Sequence, residues 1–274
     1  MGIYSSFFGN LRNDDYNRDM KAKKEFWSLT AVVFLAIVMP TILRQVNKVT
    51  RAMAGAEGRL ASINIETDRI LGRYDKPFIT QTGEMLISPT WDFRTITDVD
   101  TSQKWDYVAV SGQNLEPEEL KYLALKFGSA KKMVMVQPKS ETYLVAMGAE
   151  MMNTGLFGKI DKETPASKLF DKLGAQRLPV TGEGTWVYAT AAKNANTYQV
   201  VIANYDPKGR HSEIVPVNFM NLETDDFEFR KNFLGSTIVS KEKISTGAGI
   251  IQKRIPMPAN SVVFLELEAK WNTY

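Results

Sequence analysis

The stretch Ser261-Val262-Val263-Phe264-Leu265-Glu266-Leu267-Glu268 decides how the C-terminal third of this chain is read. Val263, Leu265 and Leu267 fall on one side of an extended chain and Glu266 and Glu268 on the other, the period of two of a half-buried strand. Working back from it, strand patterns recur at 185–191, 198–205, 213–218, 227–232, 237–240 and 250–255. Turn clusters such as Asn194-Ala195-Asn196 and Asp206-Pro207-Lys208-Gly209 separate them. Short antiparallel strands at this spacing predict a β-sandwich over 181–268, followed by a short tail, 269–274.

Upstream, 74–180 reads as a small α/β region. Strands are expected at 77–80, 105–110 and 133–136. Pro117 with Glu116, Glu118 and Glu119 opens a helix that Gly128 ends. Two more helices are expected at 140–152 and 164–173, the second with Thr164 as N-cap and Pro165 at its first position. Strand, helix and strand in this order predict a crossover joining parallel strands.

The N-terminal quarter is different. The run FWSLTAVVFLAIVMPTIL, 26–43, carries no charge and as a helix would span ~27 Å, close to a hydrocarbon core. A membrane helix is expected there, with Trp27 at the interface and Phe34, Leu35, Ile37 and Leu43 among its anchor residues. A cleaved signal peptide fits less well, because the small-residue site at Ala52-Met53-Ala54 lies beyond Arg44, Lys48 and Arg51. Basic residues on the two sides of the run nearly balance, and a short polar head, 1–25, favours a cytoplasmic N-terminus with the bulk periplasmic or extracellular. The localisation expected is therefore the inner (cytoplasmic) membrane.

Over 44–73, Val46, Val49, Met53, Leu60, Ile63 and Ile70 follow a heptad-like spacing, so the helix is expected to continue as a stalk whose interface is Val46, Val49, Met53, Leu60 and Ile63. The expected fold class is thus a single-pass membrane helix plus an α+β extracytoplasmic part, a small α/β region followed by an antiparallel β-sandwich. The partners expected are membrane lipid and other membrane protein subunits.

Composition removes much chemistry. The 274 residues include no Cys and one His, His211, which excludes disulfides, thiolate metal sites and multi-histidine zinc sets. Lys plus Arg number 34 against 31 Asp plus Glu, a net charge of +3 without a basic stripe, so no nucleic-acid partner is expected. A mean hydropathy of −0.23 averages the apolar run with a polar remainder. Asp92, Asp98 and Asp100 do not match a helix-loop-helix calcium site and read as a solvated loop. Gly182-Glu183-Gly184 and Gly247-Ala248-Gly249 lack the strand-loop-helix setting of a phosphate cradle and read as turns, and His211 reads as a surface residue. No metal or cofactor is expected.

The final ~90 residues resemble the C-terminal β-sandwich accessory domain that follows the catalytic barrel in several glycoside hydrolase families. The residues that carry the resemblance are Val201-Ile202-Ala203-Asn204-Tyr205-Asp206, Val215-Pro216-Val217, Phe219, Leu234-Gly235 and 257–267, MPANSVVFLEL. Pro77-Phe78-Ile79-Thr80-Gln81-Thr82-Gly83 is similar to the barrel strand that ends in a nucleophilic glutamate, with Gln81 at the glutamate's place. Glycoside hydrolysis needs an ionisable pair, which Gln81 cannot join; Glu84 with Glu150 is the substitute pair. A whole barrel takes ~250 residues, and 74–178 holds ~105, so the resemblance implies a truncated barrel remnant and no enzyme. Two functions emerge as expectations. The first is a non-enzymatic, membrane-anchored scaffold or accessory subunit of a larger membrane or envelope complex. The second is a membrane-anchored glycan-binding module or degenerate glycosidase, contacting polysaccharide or a partner through Trp186, Tyr205, Trp271 and Tyr274.

Overall fold

The computed structural model describes residues 58–73, 76–80, 91–92, 108–111, 115–127, 132–224 and 226–270. Chain contacts divide the protein into Met1–Gly58 and Arg59–Tyr274, and all the described elements belong to the second unit.

The C-terminal strands form at Val187–Asn194, Thr197–Asn204, Glu213–Met220, Asp226–Phe233, Val239–Ser245, Ile251–Met257 and Ser261–Ala269, within about three residues of the expected bounds except that the strand expected at 237–240 extends to Ser245. They sort into two sheets. One has seven strands, in the order 239–245, 226–233, 261–269, 197–204, 187–194, 176–178 and 72–73. The other has four, 251–257, 213–220, 63–66 and 180–181. One apolar core fills the space between them. Val263, Leu265 and Leu267 join Val187, Ala189, Val200 and Ile202 from the larger sheet, and Ile63, Ile65, Val215, Val217 and Phe219 come from the smaller.

Val187–Ala192 and Tyr198–Asn204 are buried at every position, because the larger sheet is covered on both faces. On its second face Tyr188, Ala192, Val201, Ala203, Val262 and Phe264 pack in a separate core with the α/β region. That region has three helices, α1 (Glu119–Phe127), α2 (Glu141–Thr154) and α3 (Pro165–Leu169). Its sheet has five parallel strands in the order 78–79, 157–159, 132–135, 108–111 and 91–92.

Helix α2 is buried at each residue from Thr142 to Met152, as a helix enclosed between layers must be. Ser140 caps its start, accepting from Tyr143 N at 3.0 Å, and Gly155 ends it in a left-handed conformation. Thr164 and Ser167 form a reciprocal capping box at α3, and Glu141 Oε2 accepts from Ala166 N at 2.7 Å, fastening α3 to α2. Gly148 lets α2 meet the edge-to-face pair Phe78 and Phe170, whose ring centroids are 5.7 Å apart; a Cβ there would collide with both rings.

Two expectations are corrected. The described fold is mostly β-sheet with three short α-helices, and among the described residues no helix is long and apolar enough to cross a membrane, which overturns the single-pass membrane fold class. The 26–43 run itself, with Trp27, Phe34, Leu35, Ile37 and Leu43, lies outside the described residues, as do Val46, Val49 and Met53. The second correction concerns the distal stalk. Residues 58–62 have no regular structure and Ile63–Glu66 is a strand, parallel to Glu213–Met220 and antiparallel to Val180–Thr181. Ala61, Ile63, Ile65 and Thr67 are buried while Leu60 and Ile70 are exposed, so the apolar period here is two.

Candidate functional site

Two places concentrate polar chemistry, a charged triad and a groove. The triad comes from three elements: Lys121 on α1, Glu150 on α2 and Glu183 in the turn entering the sandwich. The turn depends on Gly182, whose φ is +85° and whose Cα lies against the Ser62 carbonyl. Ala189 N and Asn153 Nδ2 donate to Glu183 Oε1, at 2.9 and 3.5 Å, and fix the side chain.

Lys121 Nζ then lies 3.0 Å from Glu150 Oε1 and 3.2 Å from Glu183 Oε2. Lys121 donates a hydrogen bond to Glu183, while its approach to Glu150 is an ion pair without hydrogen-bond alignment, so both Glu150 oxygens lack an aligned donor. Burial pushes the Glu150 carboxyl up to about 7, the neighbouring Glu183 adds to the rise, and Lys121 opposes it. On Lys121 burial works against the charge, but Glu183 and Glu150 outweigh it and raise its pKa.

Two carboxyls and an amine are acid–base equipment, but Glu150 has no exposed surface from which to reach a substrate. What the triad does is tie α1 and α2 to the sandwich. Neither of its glutamates lines the groove.

The groove, about 320 Å³, lies on the second face of the seven-stranded sheet. Strand register builds it in two rows. Gln199 stands opposite Glu266, which stands opposite Arg230; Phe264 stands opposite Asn232, which stands opposite Val239. Lys172, from the 3-10 turn Phe170–Lys172, closes one side with Nζ 5.9 Å from the Phe264 ring centre.

Gln199 Nε2 donates to Glu266 Oε1 at 3.2 Å, which orients the amide. Gln199 Oε1 and Asn232 Oδ1 are then left buried without a partner. Each such oxygen costs roughly 1–3 kcal/mol unless a donor arrives. Arg230 is held by Glu228 at 2.5 Å and Glu268 at 2.7 Å. The groove therefore offers two amide acceptors, a carboxylate and an ammonium over an aromatic floor. Such a set suits a small molecule rich in hydroxyl donors. No group of three His, Asp or Glu side chains among the described residues could hold a metal ion.

Of the contact residues expected from sequence, the two that are described, Trp186 and Tyr205, fall elsewhere. Tyr205 is core, 6% exposed, with its ring edge-on to Tyr143 at 5.4 Å; burial, then Glu116, pushes its hydroxyl up to about 12. Trp186 is half-buried and 6.5 Å from the His211 ring, and His211 Nε2 lies 2.9 Å from Glu213 Oε1. His211 is thus a packed residue with 16% of its side chain exposed, where a surface position was expected. Neither Trp186 nor Tyr205 lines the groove. Trp271, Tyr274, Gln81, Glu84, Asp98 and Asp100 lie outside the described residues. Sequence reasoning missed Lys172, Gln199, Asn232 and Phe264. The signal open to it was the amide Gln199 beside the apolar run 200–203, together with the outward face of 261–268.

No protein-family model and no curated protein matches the chain. Solved structures do show similarity. A glucosidase from Croceicoccus marinus is 12% identical, over 62% of this chain and 55% of that one, with a TM-score of 0.48. N2152 from Neocallimastix frontalis is 10% identical over 69% and 61%, with a TM-score of 0.49. A GH30 endoxylanase from Clostridium papyrosolvens C71 is 14% identical over 67% and 56%, with a TM-score of 0.44. The chain spans about 55% to 61% of the length of these structures. All three scores lie below 0.5, so the functional reading rests on this chain's own residues.

Proposed function

We propose that this chain carries a glycan-binding module, with the groove on the seven-stranded sheet as its binding site and no catalysis at that groove. The observation that carries the reading is the pair of unpartnered buried acceptors, Gln199 Oε1 and Asn232 Oδ1, set in one groove beside Phe264. Sugar hydroxyls would donate to both amides and to Glu266, while a C–H-rich sugar face would lie on the Phe264 ring. This takes up the second sequence-derived expectation in place of the first, because orphan acceptors in a groove call for a small polar ligand rather than a subunit. Its place as an accessory sandwich beside a reduced α/β region is part of the same proposal.

Titration of the full chain with xylo-oligosaccharides, xyloglucan fragments and cello-oligosaccharides tests it. Saturable binding to one of them, lost in Gln199→Leu and Asn232→Leu and kept in Trp186→Ala, supports the groove. Absence of binding to all three, or binding that both leucine variants retain, refutes it.

A further inference from the structure

The charges that line the groove are not all balanced. Arg230 is engaged by Glu228 and Glu268, and Glu266 accepts from the Gln199 amide. Lys172 is exposed, its ammonium stands 5.9 Å from the centre of the Phe264 ring, and among the described residues it forms no ion pair and no hydrogen bond.

The neighbouring strands add to this imbalance. Register sets Lys241 opposite Arg230 and Lys243 opposite Glu228, on the edge strand Val239–Ser245. Both lysines are exposed, and among the described residues neither forms an ion pair. The carboxylates that flank the groove, Glu228, Glu266 and Glu268, already have donors, whereas the ammonium groups of Lys172, Lys241 and Lys243 have no counter-charge. A surface with free cations and engaged carboxylates attracts anions.

The position of Lys172 selects the anion. A sugar ring seated on Phe264 lies beside this ammonium, so a carboxylate carried by that ring can meet Nζ directly. Glu266, two residues along the strand from Phe264, stands in the other row, held by Gln199 and opposite Arg230, so its repulsion bears on the far side of the groove. Hydroxyls of the same sugar remain for Gln199 Oε1 and Asn232 Oδ1. A neutral sugar serves the two amides and leaves the ammonium bare, while a uronic acid serves all three.

We propose that the groove selects glycans bearing a uronic acid, with Lys172 as the residue that determines the selection. This rests on the glycan-binding reading above and adds the charge of the sugar to it.

Calorimetric titration of the full chain compares cellobiose, cellobiouronic acid, in which a carboxylate replaces one hydroxymethyl group, and the methyl ester of that acid, which removes the charge. At low ionic strength the acid is expected to bind about fivefold more tightly than cellobiose or the ester, the upper range for an exposed ion pair. The advantage falls as salt is raised. Lys172→Met removes the difference between acid and ester, and Lys172→Arg keeps it. Lys208→Met, which removes an exposed lysine outside the groove, also keeps it. An acid no tighter than cellobiose and the ester, or a preference that Lys172→Met retains, overturns the selection, while binding of neutral oligosaccharides would keep the glycan reading. If neither the acid nor any neutral oligosaccharide binds, both fall.

Discussion

Lys121 Nζ lies 3.0 Å from Glu150 Oε1 although 55% of the lysine side chain is exposed and none of the glutamate's is. The lysine carries charge inward from the surface to a carboxyl that has no solvent of its own, and Glu183 competes for the same ammonium at 3.2 Å. With one cation and two carboxyls, the charge balance is best when a proton is retained on the pair.

Stability should therefore depend on pH through Glu150. Its folded pKa, about 7, is raised above the ordinary value of 4.5. The folded state then holds more protons than the unfolded between those values, so the contribution is fully present below about 4.5 and is lost as pH rises through about 7. The loss is on the order of 3 kcal/mol. Glu150→Gln, which keeps the shape and removes the titration, should flatten this part of the profile. Urea midpoints at pH 5 and pH 7.5 for both proteins test it; equal slopes would remove Glu150 as the source.

Removing the cation should expose the same balance from the other side. Lys121→Met leaves two carboxyls together, and protonation of Glu150 limits the cost to roughly 1–3 kcal/mol at pH 7. The double variant Lys121→Met, Glu150→Gln should recover part of that loss. A double-mutant cycle with no coupling would show that the three groups do not act together.

Gly148→Ala tests the packing of α2. Helix propensity alone would favour alanine by about 1 kcal/mol. The added methyl meets the Phe170 and Phe78 rings, and overpacking costs about 1–3 kcal/mol, so a net loss is expected in chemical denaturation. A stabilised variant would mean that the two rings yield freely.

Ile63→Ala and Leu60→Ala distinguish strand from stalk. Ile63 is fully buried in the sandwich core, so its truncation should cost about 2–5 kcal/mol. Leu60 is 67% exposed, and its truncation should stay within about 0.5 kcal/mol. Equal costs would restore a shared helical face.

The failure of the heptad reading at this point has a physical cause. Leu60, Ile63, Thr67 and Ile70 fit a spacing of three and four, and Ala61, Ile63, Ile65 and Thr67 fit a spacing of two equally well. Local sequence holds both patterns. The choice was made by Glu213–Met220, some 150 residues later, which offers the ladder that residues 63–66 complete. The helix opened by Thr164 and Pro165 was legible for the opposite reason: these residues act within one turn of the element they bound.

The candidate sites divide in the same way. Glu266 could be placed on the outward face of its strand from period alone. That Gln199 and Arg230 flank it while Asn232 stands opposite Phe264 in the next row, and that the Gln199 and Asn232 carbonyl oxygens are left buried and unpartnered, depends on cross-strand register, which no single strand specifies. Trp186 and Tyr205 looked like contact residues because aromatic residues serve both cores and surfaces, and Tyr205 went to the core because α2 covers that part of the sheet.

By itself, then, the sequence determined the period-two strands of the C-terminal third, the capped helices before them, and the absence of thiol and multi-histidine chemistry. Tertiary structure alone decided that a strand from 63–66 enters the sandwich, that a second layer buries the other face of its larger sheet, and which polar groups that burial leaves charged, shared or unpartnered. The reason is that caps and periodicity act within a few residues, whereas burial, register and the pairing of Glu150 with Lys121 and Glu183 require segments distant in sequence to meet.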